Sequence, residues 1–128
     1  MAKRLSKALR GKRRWVGVLV EPALNSRDKV EQSLQTLCST LGDVRLRLFD
    51  CIVADERAQQ STTVEATEDI PATGGLAIIE VPLTAYSDLR AVLEGESALA
   101  SHGFQSLTAS GKIRLVRQRL GLVKPPRR

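Results

Sequence analysis

Aromatic residues are scarce: Trp15, Phe49, Tyr86 and Phe104 account for 3% of the 128-residue chain. A sheet that reads single-stranded RNA by base stacking presents several rings, and the aromatic RNP1 signature is missing. Histidine occurs once, as His102 beside Gly103, where a helix C-terminus accommodates a cation without catalysis. The two cysteines, Cys38 and Cys51, make no CxxC motif and fall within periodic apolar segments. They read as buried free thiols of a reducing compartment, not as zinc ligands or a disulfide. No apolar run approaches the ~20 residues that span a bilayer, and the basic N-terminus lacks the apolar core of a signal peptide. Gly74-Gly75 is not followed by the Gly-Lys-Ser/Thr of a P-loop. Asp55 and Glu56 resemble a carboxylate pair but sit in a polar stretch that suits solvation. No catalytic residue, metal site or cofactor is expected of the chain itself, and a cytoplasmic location is.

What is present is charge, unevenly spread. Residues 1–20 hold seven Lys and Arg and no acid, and residues 112–128 hold another seven and no acid. The middle holds the other six cations and all fourteen acids, so an acidic body carries two strongly basic ends. That arrangement implies a localised polyanion site where diffuse basicity would imply only solubility.

Along the chain, 1–12 is a basic arm. Residues 13–21 are a Val-rich strand ended by Pro22, with Val16, Val18 and Val20 on one face. Residues 26–41 are a helix, capped by Asn25 or Ser26 and stopped by Gly42, with Val30, Leu34, Leu37, Cys38 and Leu41 in one stripe. Residues 44–54 alternate as a strand, Leu46 and Leu48 opposite Arg45 and Arg47, with a drift after Asp50 that suggests a bulge. Residues 55–73 read as a polar acidic loop or an extended hairpin. Residues 74–82 are a third strand with Glu80 facing solvent. Thr84 caps a helix over 85–101, weakened by Gly95, and 103–109 is the fourth strand. The basic segment Ser110–Leu120 follows, with Ile113, Val116 and Leu120 at one-face helical spacing; continuation of the strand through Arg114–Arg117 is the alternative. Residues 121–128 are a basic tail.

The order β-α-β-β-α-β predicts an α/β two-layer sandwich of the ferredoxin-like or RRM-like kind over 13–120. It has an antiparallel sheet, two helices on one face and a short basic C-terminal helix. In that pattern the first strand is central and the fourth lies antiparallel beside it, so the two basic ends converge. Lys12, Arg13, Arg14, Lys112, Arg114, Arg117 and Arg119 are the expected phosphate contacts. The face carrying Trp15, Leu19, Leu76 and Ile78 is too apolar to stay wet; it is expected to meet a protein partner, or to be covered by a loop or the terminal helix.

Several segments add a resemblance. Arg13-Arg14-Trp15-Val16 opens the first strand. Gly75-Leu76-Ala77-Ile78-Ile79-Glu80-Val81-Pro82 precedes a helix with Leu89-Arg90-Ala91-Val92-Leu93. Ser110-Gly111-Lys112-Ile113-Arg114 follows the last strand. In order and spacing, over about 12–120, these are similar to the archaeal ribonuclease P protein component 2, the counterpart of the small subunit shared by eukaryotic ribonucleases P and MRP. Lys112 stands where that family usually has Thr. The resemblance implies a non-catalytic subunit that binds the catalytic domain of ribonuclease P RNA and pairs with a TIM-barrel subunit (component 3), often as a dimer of heterodimers. The RNA and its magnesium ions cleave the 5′ leader of precursor tRNA, which the protein meets only indirectly. Another RNA-binding module of the same fold, such as a paralogous ribonuclease P subunit or a ribosomal protein, is the alternative. A small ferredoxin-like enzyme would need a polar pocket near His102 or Asp55.

Overall fold

Strand β1 (Arg13–Val20) is flanked on both sides, by β3 (Gly75–Pro82) and β4 (Phe104–Ser110), and β2 (Arg47–Ile52) lies beyond β3. All three pairings are antiparallel, giving the order β2-β3-β1-β4. The computed structural model describes residues 13–42, 44–59, 74–95 and 97–121. The expected arm 1–12, most of the 55–73 loop and nearly all of the 121–128 tail lie outside them. The fold is the expected α+β sandwich, with β1 central and β4 beside it.

Strand alternation builds two cores. Val16, Val18 and Val20 with Ala77, Ile79 and Val81 face helices α1 (Arg27–Thr40) and α3 (Leu83–Leu93). Helix α1 buries Val30, Leu34 and Leu37, three members of the stripe read from the sequence. Ser26 is its cap: Oγ accepts from the Lys29 N–H at 3.3 Å, satisfying one of the four amides a helix start leaves free. Helix α3 adds Ala85, Leu89 and Leu93 to the same core.

Three local expectations are corrected. The single helix over 85–101 is two, α3 and a short α4 (Ala98–His102), with the break around Gly95, where helix costs about 1 kcal/mol relative to Ala. Pro82, not Thr84, holds the N-cap position of α3, because its extended backbone turns the chain directly from β3 into the helix. Residues 55–59 belong to a helix, α2 (Ala54–Gln59), whose first turn places Asp55 and Glu56 at the positive end of the peptide dipoles. The expected stop at Gly103 is observed: at φ 85° it closes α4 with its N–H on the Leu99 carbonyl at 2.9 Å.

The other face of the sheet is closed by helix α5 (Ile113–Leu120). Val116 (0% exposed) and Leu120 (3%) pack on Leu19, Leu76 and Ile78, with Trp15, Phe49 and Ile113 at the margin. Gly17 makes the close approach possible. A Cβ there would stand 2.8 Å from Leu120 Cδ1 and 3.0 Å from Val116 Cγ1. Leu19, Leu76 and Ile78 therefore do not form the protein-partner surface expected of them; the chain's own helix covers them, and only Trp15 stays half-exposed. Glu80 does not face solvent either. It lies on this second face, 9% exposed, because Arg13 reaches it from β1.

The bulge expected after Asp50 is present. Phe49 pairs with Ile78 but Ile52 with Leu76, one residue more on β2 than on β3, and Asp50 takes a positive φ of 48°. Cys51 follows it. Burial pushes the Cys51 thiol above its ordinary value of 9.0, helped by Glu56 and Glu31 and opposed by Arg27.

Two predictions follow from this packing. Leu120→Ala removes one of two buried pins of α5 and is expected to cost about 2–4 kcal/mol in urea unfolding, with a change in Trp15 fluorescence in the folded baseline. Because the folded Cys51 thiol holds its proton more tightly than the unfolded one, its contribution to stability is full below 9.0 and is lost as pH rises past that value. Urea melts between about pH 7 and about pH 10 are expected to fall less steeply for Cys51→Ala than for the natural chain.

Candidate functional site

The β1–β4 register sets Trp15 opposite Ser110, so the first residues of β1 lie beside the turn that leaves β4. The approach is close: Arg14 Nη1 lies 2.8 Å from where a Cβ on Gly111 would stand. Gly111 thus makes room for Arg14. Ser110 Oγ accepts from the Lys112 N–H at 3.1 Å, shaping the turn into α5. Lys112 and Arg114 are exposed at the start of that helix. Three of the seven expected cations, Arg14, Lys112 and Arg114, are therefore brought to one corner of the sheet. Lys12 lies outside the described residues.

The other three have partners within the protein. Arg13 Nη1 donates to Glu80 Oε2 at 3.1 Å and its guanidinium lies 6.0 Å over the Trp15 ring. Arg117 forks onto Asp50, Nε to Oδ2 and Nη2 to Oδ1. With side chains only 21% and 13% exposed, this pair is part of the packing that holds α5. Arg119 Nη1 donates to Thr108 Oγ1 at 3.1 Å and to the Ala109 carbonyl at 2.9 Å, tying α5 to β4. Helical spacing alone left Arg117 and Arg119 pointing outward; the Asp50 bulge and the edge of β4 turn them inward.

The charge at the start of α5 runs against ordinary helix design. The exposed N–H groups of a first turn carry partial positive charge and favour acids. This helix has no acid in its first turn, and Lys112 at the N-cap makes no side-chain capping bond. A Thr at that position would offer a capping hydroxyl; Lys112 places a cation there instead. Lys112 and Arg114 thus add their charges to the positive end of the helix dipole, with Arg14 beside the Gly111 turn that leads into it.

Two contributors were not singled out from sequence. Tyr86 on α3 receives Arg14 at 5.8 Å and Arg90 at 5.7 Å from its ring centroid. Arg90 Nη1 also donates to Tyr86 Oη at 3.2 Å. That bond and the neighbouring phenol, and then Glu94, raise the Arg90 pKa above its ordinary value. The Tyr86/Arg90 spacing of four residues on a helix was the available signal.

The acid–base alternative gains little. A cleft of about 230 Å³ does lie beside His102, with Glu21, Ser33 and Thr36 in its walls. Among the described residues no hydrogen bond or ion pair joins Glu21 to His102. No three His, Cys, Asp or Glu side chains among them gather as metal ligands would, and no described helix is long and apolar enough to cross a membrane.

No family model, curated protein or solved structure matches the chain.

Lys112→Thr supplies a capping hydroxyl and removes a charge from the positive end of α5. It is expected to raise unfolding free energy by about 0.5–1 kcal/mol while weakening polyanion binding, measured on one preparation by urea melts and by filter binding of RNA.

Proposed function

We propose that this protein is a non-catalytic RNA-binding subunit of ribonuclease P, supporting RNA-catalysed removal of the 5′ leader from precursor tRNA. The observation that carries the RNA-binding part is the corner where Arg14, Lys112 and Arg114 meet without carboxylate partners among the described residues. Phosphate is the ligand that suits it. Guanidinium forks match phosphate oxygens, and a helix N-terminus adds backbone donors. A site of this kind positions an RNA backbone without reading its bases, which fits the scarcity of rings.

The assignment to ribonuclease P rests on the resemblance of the Arg13–Val16, Gly75–Pro82 and Ser110–Arg114 segments to protein component 2. On that reading the partner is the ribonuclease P RNA with its own magnesium ions, and a TIM-barrel subunit completes the protein side. The TIM-barrel subunit would dock away from Leu19, Leu76 and Ile78, which α5 occupies. The phosphate contacts reduce to Arg14, Lys112 and Arg114, with Lys12 retained. Arg13, Arg117 and Arg119 instead shape the surface that presents them.

That division is testable. Arg114→Ala should lower the log–log salt slope of RNA binding by about 0.7–0.9 at unchanged stability. Arg117→Ala should instead cost about 2–4 kcal/mol of stability by stranding Asp50. An unchanged slope for Arg114→Ala defeats the placement of the site. For the assignment, the chain is added with a component 3 protein to ribonuclease P RNA and precursor-tRNA cleavage is measured at limiting magnesium. Stimulation is expected, and its absence defeats the ribonuclease P reading.

A further inference from the structure

The corner described above continues into a groove. Between α3 and β4 lies an open trough of about 580 Å³, walled by Tyr86, Arg90 and Glu94 on one side and by Ser106, Thr108 and Ala109 on the other. Arg14, at the corner, lies against the same Tyr86 ring that receives Arg90. Two guanidiniums that share one ring repel each other, and attraction to the ring face offsets that only in part. Arg14 has no carboxylate partner among the described residues. Arg90 has Glu94, but in an i,i+4 pair with side chains 46% and 48% exposed, the kind of contact that contributes little and exchanges readily. The hydrogen bond from Arg90 to Tyr86 Oη fixes the guanidinium at the mouth of the trough without neutralising it.

We propose that this trough is a second backbone-phosphate subsite, gripped by Arg14 and Arg90 on either part of Tyr86, so that a bound RNA strand runs from the Lys112–Arg114 end of α5 along α3. It rests on the RNA-binding reading above and extends it to Arg90 and Tyr86. The Ser106 hydroxyl on the opposite wall suits sugar and phosphate oxygens, whereas Thr108 Oγ1 is taken by Arg119. An added peptide strand fits less well, although β4 is an edge of the sheet. Thr108 pairs with Gly17 and Ser106 with Val18, which leaves Leu107 as an extra residue that breaks the ladder, and Arg119 already takes the Ala109 carbonyl. Bulges of this kind blunt an edge against strand addition. Glu94 has a defined part: in the free protein it occupies the seat that phosphate takes over.

The full chain is titrated with a single-stranded RNA oligonucleotide at several salt concentrations. Arg90→Ala is expected to weaken binding about three- to tenfold and to lower the salt slope by about 0.7–0.9. Glu94→Gln removes the competing anion and is expected to tighten binding about two- to threefold, an effect that loss of structure would not produce. Tyr86 is the chain's single tyrosine, so its ring resonances report the trough alone and are expected to shift on saturation. If Arg114→Ala weakens binding while Arg90→Ala and Glu94→Gln leave affinity and slope unchanged, the subsite is overturned and the RNA-binding reading stands. If the natural chain shows no salt-dependent RNA binding, that reading fails and the subsite fails with it. Tightening of an acidic peptide but not of RNA by Glu94→Gln also overturns it, in favour of a protein ligand.

Discussion

Trp15 stands opposite Ser110 because β1 and β4 pair antiparallel, and most of the molecule's chemistry is placed by that pairing. It joins residues almost a hundred positions apart. It sets Arg14 beside Gly111 and starts α5 at the corner of the sheet. Running back across the sheet from that start, α5 meets Gly17, the one position of β1 with no side chain to hold it off. The same helix that presents Lys112 and Arg114 thus closes the second core through Val116 and Leu120.

The arginines of the two basic segments divide between holding and reaching. Arg13, Arg117 and Arg119 are engaged by Glu80, Asp50 and the β4 backbone. A charge fixed by a half-buried carboxylate is expensive to remove and poorly disposed to bind anything else. Arg14, Lys112 and Arg114 have no such partner among the described residues, and two of them crowd the end of a helix whose dipole repels them. That conflict between local stability and charge placement is common where a surface serves a ligand. Asp50 shows the same logic from the other side. Its positive φ is unusual for a residue other than Gly, and it is held by the bidentate contact that anchors α5.

Much of the architecture was legible in the sequence because its signals were local. Valine alternation in β1, the α1 stripe, Ser26, Gly42 and Gly103 each act within a few residues, and the element order then constrains the topology. The convergence of the two basic ends was legible for the same reason. What could not be read was the destination of long side chains. The i, i+3, i+7 spacing of Ile113, Val116 and Leu120 predicts a helix with an apolar side, and the terminal helix was one expected cover of Leu19, Leu76 and Ile78, but the spacing does not choose it over a loop or a partner. That depends on Gly17, whose role becomes visible only when α5 is placed above it. Arg117 and Arg119 were misread outward because their partners, Asp50 on a bulge and Ala109 on an edge strand, are set by tertiary register. Glu80 was misread for a like reason, since its partner Arg13 comes from the neighbouring strand.

The Trp15–Ser110 pairing has a consequence for how the protein comes into being. Contacts of such sequence separation close late and slowly, because the loop entropy they cost is recovered only when the whole sheet is in place. In the unfolded chain the cations are two separate runs, the second of them made last, and each attracts polyanions only diffusely. Arg14, Lys112 and Arg114 come to the same end of the sheet only when the last strand has docked and α5 has folded over Gly17. On the RNA-binding proposal, selective grip on a polyanion is then a property of the finished molecule, and an incompletely folded copy with the same net charge has no assembled corner with which to compete for the same ligand.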